Sequence, residues 1–89
     1  MLYNHKITGQ IIGRLRAKRG WSQEVLSGLA DVSRSHLSMI ETGRKDAAVE
    51  TLWQIAAALE MPLSELIRMV EEETANQKAP GGETDDDRL

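Results

Sequence analysis

The sequence of 89 residues contains no cysteine and no phenylalanine. Without cysteine, the chain can form no disulfide, no thiolate metal site and no thiol nucleophile. Aromatic residues make up only 3% of the chain, so the core must be built from leucine, isoleucine, valine, alanine and methionine. At this length we expect one domain with one modest core.

Long apolar segments are missing as well. No run approaches the roughly 18 consecutive apolar residues of a transmembrane helix. The amino-terminal stretch MLYNHKITGQ also lacks the apolar region of a secretory signal. We therefore expect a cytoplasmic protein without a membrane partner.

The net charge of −3 conceals an uneven distribution along the chain. Residues 1–70 carry 9 lysines and arginines against 7 acidic residues, whereas residues 71–89 carry 2 against 7. The body of the chain is thus mildly basic and its end is acidic. A mildly basic body is compatible with nucleic-acid binding if the cations share one face, but the charge alone does not establish it.

Two short helical patterns with a tight turn between them occupy residues 22–41. Ser22 and Ser33 are each placed to cap one pattern, because a hydroxyl there accepts a hydrogen bond from a free backbone N–H. Apolar residues spaced i, i+3 predict one buried face for each helix: Leu26 with Leu29, and Leu37 with Ile40. The second helix then turns a polar and basic face outward, made of Arg34, Ser35, Ser38 and Met39. This arrangement is typical of a helix-turn-helix that reads DNA.

Apolar spacing predicts one helix before this motif and two after it. The first runs from about Thr8 to Lys18, is ended by Gly20, and leaves residues 1–6 as a frayed arm. The fourth runs from about Val49 to Leu59, and the fifth from Pro62 to about Glu72.

Four cations crowd the second half of the first helix: Arg14, Arg16, Lys18 and Arg19. Cations stabilise a helix carboxy terminus through the helix dipole, and they could equally form a cluster that faces phosphates. The sequence leaves both interpretations open.

We expect the folded domain to comprise residues 1–73. Residues 74–89 are polar, contain Pro80-Gly81-Gly82 and Asp85-Asp86-Asp87, and are predicted to be a disordered acidic tail. Such a run is more typical of a solvated tail than of a phosphate mimic that competes for a basic face.

From about residue 7 to residue 70 the chain resembles the phage repressor/Cro type of helix-turn-helix, the XRE family. The similarity is carried by the stretches IIGRLRAKRGWSQEVLSGLADVSRSHLSMIETGRK and TLWQIAAALEMPLSELI. The resemblance implies an all-α, compact five-helix domain of the lambda repressor type.

The resemblance also implies a role for each matched position. Base edges would be read by Arg34, Ser35, Ser38 and Met39. The DNA backbone would be contacted by Ser22, Gln23, Thr42, Arg44 and Lys45. His36 is ambiguous, because it is placed for either a phosphate contact or a structural, solvent-facing role. Pairing of His36 with His5 at a metal has no spacing to support it, and we expect neither a metal nor another cofactor.

Arg16 and Glu41 match a pair that forms a salt bridge between the first and third helices of the family. We therefore interpret Arg16 as mainly structural and do not expect Glu41 to face DNA. The chain departs from the family pattern at four places: Ser27 for Ala, Asp31 for Gly in the turn, Ala47-Ala48 for Pro-Ser before the fourth helix, and Glu60 for Gly after it.

These features predict a sequence-specific regulator of transcription, most simply a repressor that acts as a homodimer on palindromic double-stranded DNA. The expected dimer surface is the last helix, through Leu66, Arg68, Met69 and Val70. The alternative is an antitoxin-like or other protein-interaction module that uses the same fold with a protein partner. No nucleophile, base and orienting group can be assembled from the spacing, so we do not expect an enzyme.

Overall fold

A computed structural model describes residues 2–78 of the chain. This part consists of five α-helices and contains no strand: α1 (His5–Lys18), α2 (Gln23–Ala30), α3 (Arg34–Glu41), α4 (Val49–Ala58) and α5 (Leu63–Lys78). The predicted all-α class and the number of helices are therefore confirmed. None of these helices combines the length and apolar character needed to cross a membrane.

Side-chain caps define where the first three helices begin. The Asn4 carboxamide accepts from the Lys6 N–H at 2.9 Å, and the Ser22 and Ser33 hydroxyls accept from the backbone N–H three residues later. The α4 helix follows Ala48 without a side-chain cap among the described residues. Alanine has no side-chain oxygen to accept from a free N–H at the helix start, so the Ala47-Ala48 departure from Pro-Ser costs about 1 kcal/mol.

Residues in the left-handed conformation follow three of the helices. Gly20 follows α1 with φ +73°, Asp31 follows α2 with φ 59°, and Glu60 follows α4 with φ 62°. Glycine accepts this conformation freely and aspartate tolerates it, whereas glutamate pays a larger steric penalty. The chain therefore keeps its helix ends despite the absence of glycine at two of them.

Every helix contributes at least one completely buried apolar side chain to a single core. The α1 helix packs against α3 and α5, and α2 packs against α3 and α4. Side chains with 0% exposure come from all five helices: Ile12, Leu26, Leu37, Ile55, Ala56, Leu59 and Leu66. The helix-turn-helix thus packs on α1 and α4, and these two helices pack in turn on α5.

The structure corrects three expectations about the extent and burial of helices. The α1 helix begins at His5, so residues 5 and 6 are not a frayed arm. The α5 helix continues to Lys78, and Thr74 is buried with its hydroxyl donating to the Val70 carbonyl at 2.7 Å. The tail predicted for residues 74–89 is therefore wrong for 74–78, while 79–89 lie outside the described residues. Leu29 is 58% exposed rather than buried, because Ala30 takes its place beside Leu26.

The α1 and α3 helices approach each other most closely at Gly9. A Cβ added to Gly9 would lie 2.1 Å from the backbone oxygen of Ile40 and 3.1 Å from that of Glu41. The first of these contacts is shorter than any real Cβ contact, so only glycine permits this spacing of the two helix backbones. Gly9 thereby sets the position of α3 against the core.

We expect Gly9→Ala to lower the free energy of unfolding by at least about 2 kcal/mol, because overpacking costs about 1–3 kcal/mol and a backbone carbonyl cannot rotate out of the way. Urea unfolding followed by circular dichroism measures the change. The matched control is Gly28→Ala on α2, where an added Cβ meets nothing within 4 Å. That variant should gain about 0.5–1 kcal/mol from helix propensity. Equal effects of the two substitutions would contradict the role assigned to Gly9.

Candidate nucleic-acid interface

The turn between α2 and α3 fixes the angle at which α3 leaves the domain. Asp31 in the left-handed region closes α2, and the Val32 N–H then donates to the Ser27 carbonyl at 3.0 Å. The buried Ser27 hydroxyl donates to the Glu24 carbonyl at 3.0 Å. The polar group introduced by serine at this position is thus satisfied within α2.

The α3 helix divides into a buried face and a solvent face. Leu37 and Ile40 are 0% and 1% exposed and anchor the helix to the core. The residues predicted to read bases lie on the other side, with Arg34, Ser35 and Met39 exposed and Ser38 half-buried. Met39 is 37% exposed, which leaves its thioether side chain free for apolar contact. The four side chains together form a continuous outward face of mixed polarity.

Arg34 occupies the first turn of α3, directly after the Ser33 cap. Its guanidinium has no ion-pair or hydrogen-bond partner in the part of the chain that the structure describes. An unpaired arginine at the start of an exposed helix is suited to bidentate recognition of guanine O6 and N7, which is worth about 1–3 kcal/mol of discrimination.

A compact turn follows α3 and holds two further cations. The Met39 carbonyl accepts from the Arg44 N–H at 2.9 Å and from the Lys45 N–H at 3.2 Å. The Thr42 hydroxyl donates to the Ser38 carbonyl at 2.9 Å. Arg44 and Lys45 are exposed at the end of the outward face of α3, where phosphates on both sides of a groove would lie.

The amino terminus of α1 packs against this turn and adds a cation that sequence reasoning missed. The His5 Nε2 lies 3.0 Å from the Gly43 carbonyl oxygen. A Cβ on Gly43 would fall 2.7 Å from Lys6 Cγ, so the Lys6 stem covers the turn. We call Lys6, Arg44 and Lys45 the loop cation cluster. Asn4, a favoured capping residue, was the signal that α1 begins early enough to place Lys6 there.

The Glu41 carboxylate joins three helices from a position almost free of solvent. Arg16 on α1 donates to it twice, from Nε at 2.8 Å and from Nη2 at 3.0 Å. Gln23 on α2 donates from Nε2 to Oε1 at 3.0 Å. The expected pairing of Arg16 and Glu41 is therefore present, and the Glu41 side chain is only 7% exposed. Hydrogen bonding to Glu41 raises the pKa of the Arg16 guanidinium above its usual range, which keeps the guanidinium charged.

This junction also bears on the phosphate contact expected of Gln23. A primary amide has two donor hydrogens, and Glu41 takes one of them. One N–H of Gln23 therefore remains for a phosphate, on a side chain already oriented by the ion pair. Arg16 is fully engaged, because its Nη1 donates to the Trp21 carbonyl at 2.7 Å, in keeping with the structural interpretation of this residue.

Ser22 and His36, the two remaining candidates for contact with the DNA backbone, differ in accessibility. The exposed Ser22 hydroxyl accepts from the Val25 N–H at 3.2 Å and still has its own proton to donate. His36 is half-buried, and its Nε2 is enclosed by protein without a hydrogen-bond partner among residues 2–78. In this conformation that nitrogen does not reach a phosphate, which argues against the phosphate interpretation of His36.

Two of the other cations at this end of α1, Arg14 and Arg19, are engaged within the domain, whereas the exposed Lys18 has no ion pair among residues 2–78. Arg14 pairs with Glu73 on α5 at 3.5 Å. Arg19 pairs with Glu60 at 3.3 Å and stacks 5.1 Å from the centre of the Trp21 ring. These contacts favour helix-end and inter-helix roles over a phosphate-facing cluster at this end of α1.

The dimer surface expected on α5 is wrong for two of its four residues. Leu66 and Val70 are 0% and 3% exposed and belong to the core. Met69 is half-buried against that core. Arg68 is exposed but is bound by Glu65 and Glu72 of its own helix. The hydrogen bond from Arg68 lowers the pKa of Glu65.

An apolar surface missed by the sequence interpretation lies beside those residues. Trp53 is 64% exposed and shares a shallow cavity with Pro62, Leu63, Ser64 and Ile67. We call these five residues the α4–α5 face. Trp53 lies outside the predicted apolar stripe of α4, and an exposed tryptophan off the stripe was the available signal.

A family model described as "HTH_3: Helix-turn-helix" matches residues 12–66, which include all of α2, α3 and α4. The chain belongs to the XRE family of helix-turn-helix proteins. Its helix-turn-helix is therefore the one built by α2 and α3, with α3 as the recognition helix.

Two relatives are regulators of transcription by name. Over 67 residues the XRE-family chain is 34% identical to an uncharacterized HTH-type transcriptional regulator, y4dJ, of Sinorhizobium fredii, covering 75% of this chain and 87% of the relative. Over 82 residues it is 33% identical to the transcriptional regulator ClgR of Mycobacterium tuberculosis, covering 86% and 73%. The family and these relatives are DNA-binding regulators and not enzymes, as the sequence interpretation expected.

Solved structures share the fold. The restriction-modification controller protein C.AhdI from Aeromonas hydrophila superposes with a TM-score of 0.67 at 31% identity, over 70% of this chain and 94% of that one. The clp gene regulator ClgR from Corynebacterium glutamicum superposes with a TM-score of 0.78 at 25% identity, over 85% and 81%. The arrangement of five helices is thus that of repressor-like DNA-binding domains.

A double-mutant cycle on Arg16→Ala and Glu41→Ala should give a coupling toward the upper part of the range of about 0.5–3 kcal/mol found for contacting pairs. The reason is burial, since the two side chains are only 19% and 7% exposed. Chemical unfolding of the two single variants and the double variant measures the coupling.

The matched control is the same cycle on Arg68 and Glu72, whose side chains are 51% and 63% exposed. An exposed pair on one helix is screened by solvent and should couple more weakly. Equal coupling in the two cycles would show that Glu41 is not a buried junction.

Proposed function

We propose that the chain is a sequence-specific, double-stranded DNA-binding repressor that acts in the cytoplasm as a homodimer on a palindromic operator. The observation that carries the proposal is the outward face of α3, whose Arg34 has no partner within residues 2–78. A recognition helix in this family presents such a face to the major groove.

The proposed contacts divide by chemistry. Arg34 and Ser35 lie in the first turn of α3 and would meet base edges, while Ser38 and Met39 would follow one turn later along the groove. Phosphates would be held by the loop cation cluster and by the free donors of Ser22 and Gln23, whereas the Thr42 hydroxyl already donates to the Ser38 carbonyl. These backbone contacts position the protein but do not select sequence.

Two copies are needed for useful specificity. The α3 helix has 8 residues and is therefore about 12 Å long, enough to read only a few base pairs. Two such helices in one dimer would meet half-sites about 34 Å apart. A protein with the same fold, the controller protein C.Esp1396I, has been solved as a tetramer in complex with its natural 35 base-pair operator, at 21% identity and a TM-score of 0.76.

The α4–α5 face is the proposed dimer surface, in place of the buried pair Leu66 and Val70. Exposed aromatic and aliphatic side chains that share one depression are typical of the centre of an interface. A second copy placed there would cover Trp53, whose side chain is the largest exposed apolar group of α4.

Selection of binding sites from a random duplex library tests the DNA-binding proposal. We expect the wild-type chain to enrich a palindrome, and Arg34→Ala to relax it at one symmetric position by the equivalent of about 1–3 kcal/mol. Binding should weaken steeply as salt rises, because each phosphate contact releases counterions.

The control for this selection is Arg14→Ala, which also removes one surface arginine but lies beside Glu73 on the α5 side of α1. It should enrich the same palindrome as the wild type. If neither the wild type nor Arg14→Ala enriches any sequence at low salt, the proposal fails and a protein-interaction module becomes the better interpretation.

The dimer surface has its own test in Trp53→Arg. Since Trp53 is 64% exposed in the single chain, the substitution should leave the fold intact and convert dimers to monomers. Equilibrium sedimentation measures the mass, and circular dichroism checks the helix content.

Leu29→Arg is the matched variant, because Leu29 is 58% exposed on α2, away from the α4–α5 face. It should remain a dimer. Dimers that survive Trp53→Arg and dissociate with Leu29→Arg would place the interface on α2 instead, and a monomeric wild type on a palindromic duplex would refute dimerisation.

A further inference from the structure

We propose that Glu83 and Asp85–Asp87, in the carboxy-terminal segment of the chain, dock on the loop cation cluster of the same molecule and compete there with non-operator DNA. The competition rests on the proposed function, since it assigns the cluster to phosphates. The docking itself does not.

The loop cation cluster has no acidic partner among residues 2–78. Lys6, Arg44 and Lys45 are exposed, and none of them forms an ion pair within the described residues. Within residues 2–78, four other arginines do pair with carboxylates: Arg14, Arg16, Arg19 and Arg68. Asp46 is the nearest acid in sequence, and its carboxylate lies toward Tyr3, 3.5 Å from the phenol oxygen.

The end of α5 lies close to this cluster. Gln77 donates to the Gln10 side chain at 3.4 Å, which places the last turn of α5 beside the first turns of α1. Thr74 and Tyr3 line the same depression, and the Tyr3 phenol reaches Asp46 in the turn after α3. One tyrosine side chain therefore spans the distance between α5 and the loop that carries Arg44 and Lys45.

The acidic residues are within reach of the cluster. An extended chain advances about 3.3 Å per residue, so Glu83 extends up to about 17 Å beyond Lys78 and Asp87 up to about 30 Å. The intervening amino-terminal part of α1 is about 10–12 Å across. A docked segment thus needs no rearrangement of the five helices.

Charge and tethering both favour this occupant. Residues 79–89 contain four acids and one cation, Arg88, and the loop cation cluster offers three cations without an ion pair among residues 2–78. The tether supplies an effective concentration in the millimolar range, so even weak attraction gives substantial occupancy. Exposed charges are screened beyond about 10 Å at 0.1 M salt, so docking should disappear at high ionic strength.

Amide NMR of the full chain without DNA tests the docking. The variant carries Glu83→Gln, Asp85→Asn, Asp86→Asn and Asp87→Asn, which keep size and remove charge. At low salt its spectrum should differ from the wild type at the amides of Lys6, Arg44 and Lys45, and not at Arg34 or Trp53. High salt should abolish the difference. Unchanged cluster amides at low salt would overturn the proposal.

Binding to a duplex without an operator tests the competition. If the segment covers the cluster in about two thirds of the molecules, its neutralisation should strengthen binding about threefold. Glu71→Gln removes one exposed acid from α5 and should have a much smaller effect per charge. If both variants strengthen duplex binding equally per charge removed, the acids act by general repulsion of DNA, and competition at the cluster is overturned.

The two proposals fail in distinguishable ways. Cluster shifts without binding to any duplex would leave the docking intact and remove the DNA-binding function. Operator binding without shifts at the cluster amides would support the DNA-binding function and refute the docking.

Discussion

The position of the recognition helix depends on one buried carboxylate. Glu41 ends α3 and receives Arg16 from α1 and Gln23 from α2, while the remaining guanidinium nitrogen of Arg16 holds the Trp21 carbonyl at the start of the helix-turn-helix. A buried charge is tolerable only when its partners are all in place. The three helices therefore adopt one mutual arrangement, and Gly9 allows α1 to lie close enough to α3 for that arrangement to form.

Much of this frame could be predicted because its determinants are local. Caps at Ser22 and Ser33 and apolar spacing in α3 and α4 fix helix starts and faces within a few residues of sequence. Prediction failed where a distant element decides the outcome. Leu29 is exposed because α2 faces its neighbours through Leu26 and Ala30, and α5 runs to Lys78 because Thr74 is buried beside the start of α1.

The candidate nucleic-acid interface also combines residues that local sequence places with residues that only the packing of a distant element places. The outward residues of α3 follow from its buried stripe, so Arg34, Ser35 and Met39 could be placed from sequence. Lys6 could not, since it joins Arg44 and Lys45 only through the packing of α1 on the turn at Gly43. The apolar stripe of α5 predicts a surface for a second copy, yet the core of the single chain already buries that stripe at Leu66 and Val70.

The absence of a partner for Arg34 among residues 2–78 has an evolutionary consequence. Substitutions at exposed positions without structural contacts usually change stability by less than about 0.5 kcal/mol. The junction at Glu41, by contrast, ties three helices together and leaves little room for change. Under the proposed function, descendants of this chain can therefore acquire new DNA targets through the outer side of α3 while inheriting an unaltered scaffold, so that divergence of recognition is uncoupled from divergence of fold.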